Sequence, residues 1–101
     1  MSLKKQYRKT DSFCTVTFSL PKAGAGSAQT VHVVGDFNGW DKNATPMKKQ
    51  KNGSFVARVL LERHREYQFR YLLNGESWEN DWQADRYVEN GQGGDNSVVV
   101  V

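Results

Sequence analysis

The sequence predicts an all-β fold, an immunoglobulin-like antiparallel β-sandwich, on three observations. Several short segments alternate apolar and polar residues with the period of two that a half-buried strand requires. Asn-Gly pairs, which adopt the positive φ of tight turns at little cost, begin at positions 38, 52, 74 and 90. No window combines a helical period with capping residues. Short strands and frequent turns within 101 residues favour a sandwich, with a small barrel as the structural alternative.

The strands are predicted in order along the chain, after a basic arm. Residues 1–11 are polar and basic, so we expect them to form a flexible arm ahead of one domain over residues 12–101. The segment Ser12–Leu20 alternates cleanly and ends at Pro21, after which the small residues predict a flexible turn. The same signals predict the remaining strands at Thr30–Gly35, Ser54–Leu61, Tyr67–Leu73, 84–88 and 96–101.

Composition restricts the class of protein before any motif is considered. A chain of 101 residues accommodates one domain, and an aromatic content of 12% argues against disorder. No apolar segment is long enough to span a membrane, and the first residues lack the apolar core of a secretory signal. Cys14 is the only cysteine, so no disulfide framework is available within the chain and a cytoplasmic location is expected.

The charge of the chain is unevenly distributed. Residues 1–51 hold nine Lys or Arg and three Asp or Glu, whereas residues 52–101 hold five and eight, for a net charge of +3. A basic first half suits a nucleic acid or a membrane surface. The lysines fall mostly in the arm and in the loop after Trp40, where solubility explains them more simply. Single-stranded nucleic acid is therefore kept only as an alternative ligand.

Two motifs carry most of the functional signal. The segment Gly35–Trp40 ends a strand, reverses the chain at an Asn-Gly pair and presents Trp40 directly after the turn. In Tyr67–Leu73 the alternation buries the aromatic residues and turns Arg70 outward in mid-strand, and Trp78 follows the next Asn-Gly turn. Both tryptophans could be ordinary core caps and Arg70 a solvated residue. Together, however, a flat apolar platform and a planar donor fork suit a binding surface.

In order along the chain, four segments resemble the glycogen-binding module, also called the isoamylase N-terminal or early-set domain. This family occurs in glycogen branching and debranching enzymes and in the β subunit of AMP-activated protein kinase. The resemblance covers roughly residues 12–101 and rests on Gly35–Trp40, Tyr67–Tyr71, Asn74–Trp78 and Asn96–Val99.

The resemblance implies a β-sandwich that binds α-1,4-linked glucan without itself catalysing a reaction. In the kinase modules two tryptophans stack on the sugar and a basic strand residue bonds its hydroxyls; these match Trp40, Trp78 and Arg70 here. An asparagine before the last strand also binds sugar in those modules. Its position falls on Asp95 or, with a shift of one residue, on Asn96. The leucine and threonine of that family loop are replaced within residues 90–94, which leaves open a weakened affinity or a different ligand.

Catalysis and metal binding are poorly supported by the residues. Glycoside hydrolysis needs two carboxylates facing each other across a cleft, and the family's catalytic residues lie on a separate barrel. His32 and His64 are the two histidines, and neither has metal-ligand spacing with Cys or Asp. We therefore expect no enzyme activity, no metal and no cofactor, although a glycosidase-type label could be inherited from the family.

The expected partner is an α-glucan polysaccharide or malto-oligosaccharide of the glycogen or starch type. A targeting or regulatory role in glycogen metabolism follows from the resemblance, with a glycogen-metabolism enzyme as protein partner, and the sequence predicts a free-standing module. A different class of function is the alternative, in which the sandwich has lost glucan binding and binds a protein partner. In that case an exposed edge strand at Ser97–Val101 would pair with another chain, unless its valines are buried on both faces.

Overall fold

The computed structural model describes residues 3–9 and 12–101, which form two packed antiparallel sheets. Within these residues one helical turn, α1 (Lys22–Ala25), follows the second strand, and a 3-10 turn spans Asp36–Asn38. The strands of the described residues are β1 (Leu3–Tyr7), β2 (Phe13–Leu20), β3 (Val31–Gly35), β4 (Lys48–Lys49), β5 (Phe55–Glu62), β6 (Glu66–Leu73), β7 (Ser77–Glu79), β8 (Arg86–Glu89) and β9 (Asp95–Val100).

The sheets have the orders β1-β2-β5-β4 and β3-β6-β9-β8, and β7 pairs with β6 beside β9. The predicted all-β, immunoglobulin-like antiparallel sandwich is therefore confirmed. The Asn-Gly turns are confirmed as well, since each of their glycines has a positive φ between 66° and 88°. No helix in the described residues is long and apolar enough to cross a membrane.

The core lies between the sheets and is built by alternation. Phe18 of β2 contacts both Phe37 and Phe69, with ring centroids 5.2 and 4.9 Å apart, and Phe69 in turn contacts Tyr71. Cys14 is fully buried in the same core, where burial raises the pKa of its thiol. The second sheet also buries apolar side chains on its outward face, namely Val34, Leu72 and Val98. This outer apolar layer matters below because it underlies the candidate site.

The expectation that residues 1–11 form a flexible arm is wrong for Leu3–Tyr7. This segment pairs with β2, and Leu3 inserts into the core opposite Phe18. Lys5 Nζ lies 2.7 Å from Asp85 Oδ2, so an ion pair links this edge to the second sheet. The polar residues that indicated an arm are instead those of an edge strand, which needs few apolar side chains. Residues 1, 2, 10 and 11 of the expected arm lie outside the described residues.

Other differences concern short elements and the last strand. The expected flexible turn after Pro21 contains α1, and strands β4 and β7 were not predicted because each has only two or three residues. The last strand is not a free edge, since β9 lies between β6 and β8. The proposed edge pairing of Ser97–Val101 with another chain is therefore wrong. The alternative interpretation, that the valines are buried on both faces, is confirmed for Val98, Val99 and Val101 but is wrong for Val100, which is 40% exposed.

A buried polar network ties β6 to the segment after β7. The Asp81 carboxylate is 1% exposed and accepts hydrogen bonds from Tyr71 Oη, at 2.7 Å, and from the Gln83 N–H, at 2.8 Å. The Asp81 N–H donates to Ser97 Oγ at 2.9 Å, and Tyr87 Oη donates to the Asp81 carbonyl. This network links β6, the segment after β7 and β9 through specific hydrogen bonds.

The phenol of Tyr71 makes folding sensitive to alkaline pH. Burial, reinforced by the neighbouring Asp81 carboxylate, raises its pKa well above the ordinary value of 10.0. Above pH 10.0 the unfolded chain loses the phenol proton of Tyr71, while the folded chain still keeps it. The stabilisation is therefore complete below about pH 10 and is lost as pH rises, by up to about 1.4 kcal/mol per pH unit. We expect thermal unfolding between about pH 9 and pH 12 to show a steeper pH dependence in the wild type than in Tyr71→Phe. Equal slopes would exclude Tyr71 as the titrating group.

Candidate functional site

A shallow concavity lies on the outward face of the second sheet and brings most of the predicted binding residues together. Its volume is about 290 Å³. It is bounded by the turn after β3, by β6 and β7, and by the loop between β8 and β9. Its lining side chains are aromatic, cationic or amide groups, from Trp40, Arg70, Trp78, Asn90, Gln92 and Asn96.

Arg70 lies at the centre of this surface because of its place in β6. Phe69 and Tyr71 on either side of it are fully buried in the core, so Arg70 faces outward, as predicted. Its guanidinium carbon lies 5.6 Å from the centroid of the Trp78 ring, within the range of a cation–π contact. Its Nε is buried and has no hydrogen-bond partner among the described residues. Among the described residues Arg70 forms no ion pair, so the ring of Trp78 is its recorded contact on this surface.

Trp78 is presented by the short strand β7. It pairs with Leu72 of β6, whose buried side chain belongs to the outer apolar layer. The indole is 37% exposed, and the Lys42 ammonium lies 5.9 Å from its ring centroid. One wall of the concavity thus offers an indole ring flanked by two cations, Lys42 and Arg70.

Trp40 is held in place by the carboxylate of Asp36. The indole Nε1–H donates to Asp36 Oδ1 at 2.9 Å, while Asp36 Oδ2 accepts the Gln68 backbone N–H at 2.7 Å. One carboxylate thus ties the indole to the edge of β6. Trp40 itself has a φ of 60°, an uncommon value for a residue with a side chain, and its N–H donates to the Gly35 carbonyl at 2.9 Å. The ring is fixed before any ligand arrives, and its only N–H is already engaged.

The turn that carries Trp40 depends on two neighbouring residues. Asn38 accepts the Gly35 N–H at 3.0 Å and donates its amide to the Val33 carbonyl and to Thr45 Oγ1, both at 3.0 Å. Gly35 packs so close to β6 that a Cβ atom there would collide with the Gln68 carbonyl oxygen. The Gly-Asp-Phe-Asn-Gly-Trp segment therefore holds the half-buried Trp40 ring in a fixed position at the concavity.

The opposite wall is formed by amide side chains around β9. Asn96 Nδ2 donates to Gln68 Oε1 at 3.0 Å, which leaves the Asn96 carbonyl oxygen as an acceptor. Asn90 Oδ1 accepts the N–H groups of Gln92 and Gly94 at 2.8 and 3.3 Å, so its amide nitrogen is left as a donor. Sequence reasoning missed Asn90 and Gln92 because the 90–94 segment reads as a glycine-rich turn. The Asn-Gly pair at 90 was the available signal.

Asp95 and Trp82 lie outside this concavity. Asp95 lines an adjacent depression with Glu89 and the loop glycines, and its carbonyl accepts the Asn80 amide at 2.9 Å. Of the two candidate residues before the last strand, Asn96 therefore lines the same concavity as Arg70, and Asp95 does not. Trp82 is 54% exposed, and its ring lies near Gly24 of α1.

The lining groups determine what chemistry the surface can perform. Indole, guanidinium and amide groups stack and hydrogen-bond, but they do not exchange protons with a substrate near neutral pH. Among residues 3–9 and 12–101, no three His, Cys, Asp or Glu side chains are placed to hold a metal ion. The geometry is that of a shallow, open binding surface with flat apolar rings and hydrogen-bonding groups beside them.

Comparison with known proteins gives a family and two relatives. The family model for carbohydrate-binding module 48, the isoamylase N-terminal domain, matches residues 22–88. A 1,4-alpha-glucan branching enzyme GlgB from Butyrivibrio fibrisolvens is 37% identical over 68 residues, which is 63% of this chain and 10% of that protein. GlgB from Aquifex aeolicus (strain VF5) is 53% identical over 38 residues, 38% of this chain and 6% of that protein. The chain thus spans a tenth or less of the length of these relatives.

Proposed function

The chain belongs to the carbohydrate-binding module 48 family, and on this premise we propose that it binds α-1,4-glucan chains of the glycogen or starch type without catalysing a reaction on them. Two relatives are named as 1,4-alpha-glucan branching enzymes, which supports this class of ligand. The observation that carries the proposal is the convergence of Trp40, Trp78 and Arg70 on one open concavity.

The physical chemistry of a glucose unit matches this surface. A pyranose ring has an apolar C–H face and a rim of hydroxyl groups. We propose that Trp40 and Trp78 each cover such a face, because a rigid indole loses little conformational entropy on stacking. Arg70 would donate to the hydroxyl rim from between them, and Asn96 would supply an acceptor. Asn90 and Gln92 would add contacts that the sequence did not suggest.

The proposed role is to hold glucan rather than to cut or transfer it. An open surface of this kind makes few contacts with each sugar, so we expect dissociation constants in the micromolar to millimolar range, about −8 to −4 kcal/mol. Weak single sites suit a module that targets a catalytic partner to a polymer with many equivalent chain segments. We propose such a targeting role toward an enzyme of glycogen metabolism in the cytoplasm.

The direct test is titration of the protein with maltoheptaose, using cellohexaose as the control sugar. Because the proposed stacking residues are tryptophans, we expect a saturable change in intrinsic fluorescence with maltoheptaose and a matching heat of binding by calorimetry. Cellohexaose contains the same hexose in flat β-1,4 chains and should give little response. No change with maltoheptaose at about 10 mM, above the weakest expected dissociation constant, would exclude the proposal. So would an equal response to both sugars.

The salt dependence of binding distinguishes a glucan ligand from a nucleic-acid ligand. Binding of a neutral sugar releases no counterions, so raising sodium chloride from about 50 to about 500 mM should change the maltoheptaose affinity less than twofold. Retention on single-stranded DNA would instead weaken steeply over the same range. A strong, salt-sensitive interaction with DNA and none with maltoheptaose would favour the nucleic-acid alternative.

A further inference from the structure

A second concavity, on a different part of the molecule, collects lysines that the glucan proposal does not use. It lies where α1 and the segment after it meet the turn between β4 and β5, and its volume is about 230 Å³. It shares no lining residue with the concavity of Trp40 and Trp78. Its lining residues include two that are buried and apolar, Ala28 and Phe55, which we call its floor. Four others are exposed and polar and form its rim: Lys22, Lys49, Lys51 and Asn52.

In the basic loop, which here means the lysine-rich segment 42–51 after Trp40, strand pairing determines which lysines line this concavity. In the β4–β5 pairing Lys49 is opposite Phe55 and Lys48 is opposite Val56. Since successive residues of a strand face opposite sides, Lys49 shares the side of the buried Phe55, and Lys48 faces away. The basic loop that first suggested a nucleic-acid ligand is therefore divided, with Lys49 and Lys51 on the concavity and Lys48 on the outer sheet face.

Gly53 leaves the space that the Lys22 side chain occupies beside this concavity. A Cβ atom on Gly53 would lie 2.8 Å from Cδ of Lys22 and 3.0 Å from its Cγ, so the bare glycine leaves room for the lysine stem. Gly53 also has a φ of 88°, which the turn requires. The stem of Lys22 therefore packs against the β4–β5 turn, and Lys22 lines the same concavity as Lys49 and Lys51.

The hydrogen-bonding groups on the rim are almost all donors. Among the described residues none of the three lysines forms an ion pair, and no acidic side chain lines the concavity. Asn52 Oδ1 accepts the N–H and the hydroxyl of Ser54 at 3.0 and 2.7 Å, so its free group is the amide nitrogen. Three like charges on one small rim repel each other unless an anion neutralises them.

We propose that this concavity binds a phosphate group, either as free phosphate or as the monoester of a sugar. A phosphate offers only acceptor oxygens and up to two negative charges, which complements a rim of three ammonium groups and an amide N–H. The apolar floor and the lysine stems would contact the carbon atoms of a monoester. This ligand differs in class from the neutral glucan, and the proposal does not depend on the glucan site.

The first test is an amide-resolved NMR titration of the full chain at constant ionic strength. We expect inorganic phosphate and glucose 6-phosphate to cause saturable shifts confined to the amides of Lys22, Gly26, Asn52 and Gly53, with none from glucose. At least about twofold tighter binding of glucose 6-phosphate would identify a sugar monoester as the ligand, and equal or weaker binding would identify free phosphate. Shifts that do not saturate, or that spread evenly over the basic surface, would overturn the proposal.

Matched single substitutions then distinguish phosphate binding at this concavity from non-specific attraction of phosphate to a basic protein. Lys49→Ala and Lys22→Ala should each weaken phosphate binding by about fivefold or more, because each removes a contacting charge. Lys48→Ala removes the same charge from the neighbouring position on the other face, and it should change the affinity less than twofold. Equal losses in Lys48→Ala and Lys49→Ala would overturn the proposal. Trp40→Ala should leave phosphate binding unchanged, because Trp40 does not line this concavity. Failure of the phosphate proposal can therefore be distinguished from failure of the glucan proposal.

Discussion

Trp40→Ala is expected to weaken maltoheptaose binding by more than about tenfold, the largest loss from any single substitution in the proposed glucan site. The indole is fixed by the Asp36 carboxylate and by the turn of residues 35–40, so it offers its face to a sugar at little entropic cost. Alanine removes that face and leaves the β6 edge intact. The affinity is measured by calorimetry, and the fold is checked by circular dichroism.

Two variants make this result specific. Trp40→Phe keeps a flat ring at the same position and should recover part of the affinity, which a purely structural role of the indole would not predict. Trp82→Ala removes an equally large ring that is 54% exposed and lies outside the concavity, so it should bind maltoheptaose like the wild type. If Trp40→Ala folds and binds normally, the glucan site is elsewhere even if the protein binds glucan.

Asp81→Ala is expected to cause the largest loss of stability, about 3 kcal/mol in the free energy of unfolding. The substitution removes the acceptor of the Gln83 N–H from a site where Asp81 is 1% exposed. It also removes the nearer acceptor of the Tyr71 hydroxyl, which keeps only the Ser19 carbonyl at 3.5 Å. For a domain of this size, such a loss lowers the melting temperature by more than about 10 °C. Chemical denaturation monitored by fluorescence gives the free energy directly.

The control for Asp81→Ala is the isosteric Asp81→Asn. The amide still offers one acceptor oxygen, and the Tyr71 hydroxyl can rotate to accept from its nitrogen, so we expect about half the loss of the alanine variant. Glu76→Ala removes an exposed carboxylate in the turn before β7 and should change stability by less than about 0.5 kcal/mol. A loss below about 1 kcal/mol in Asp81→Ala would mean that water replaces the missing acceptors.

The long strands were predictable from sequence because their alternation is a direct consequence of burying one face. β2, β5 and β6 begin and end within one residue of the predicted limits. β1 and β4 escaped prediction for a physical reason, since each lies at a sheet edge and is rich in lysine. Their strand conformation comes from pairing with distant residues, which local sequence does not encode.

The candidate site was predictable to the extent that single strands and turns determine it. The outward position of Arg70 follows from the period of two, and Trp40 and Trp78 follow recognisable turns. Asn90 and Gln92 could not be inferred in the same way. Their place beside Arg70 depends on how the β8–β9 loop folds back over the sheet, and that path is set by the pairing of β9 with β6.

The pairing register of strand β6 determines both which side chains fill the core and which side chains line the proposed binding surface. Its odd-numbered aromatic residues fill the core, while Gln68, Arg70 and Leu72 build the outer surface. A slip of one position would put the Arg70 charge inside and Phe69 outside. Asn74 helps to fix the register of β6 against β3, because its Oδ1 accepts the backbone N–H groups of Gln29 and Thr30 directly before β3. Misaligned conformers would therefore be unstable and would also lack the proposed sugar-binding surface, so selection for that surface would also select for correct strand alignment.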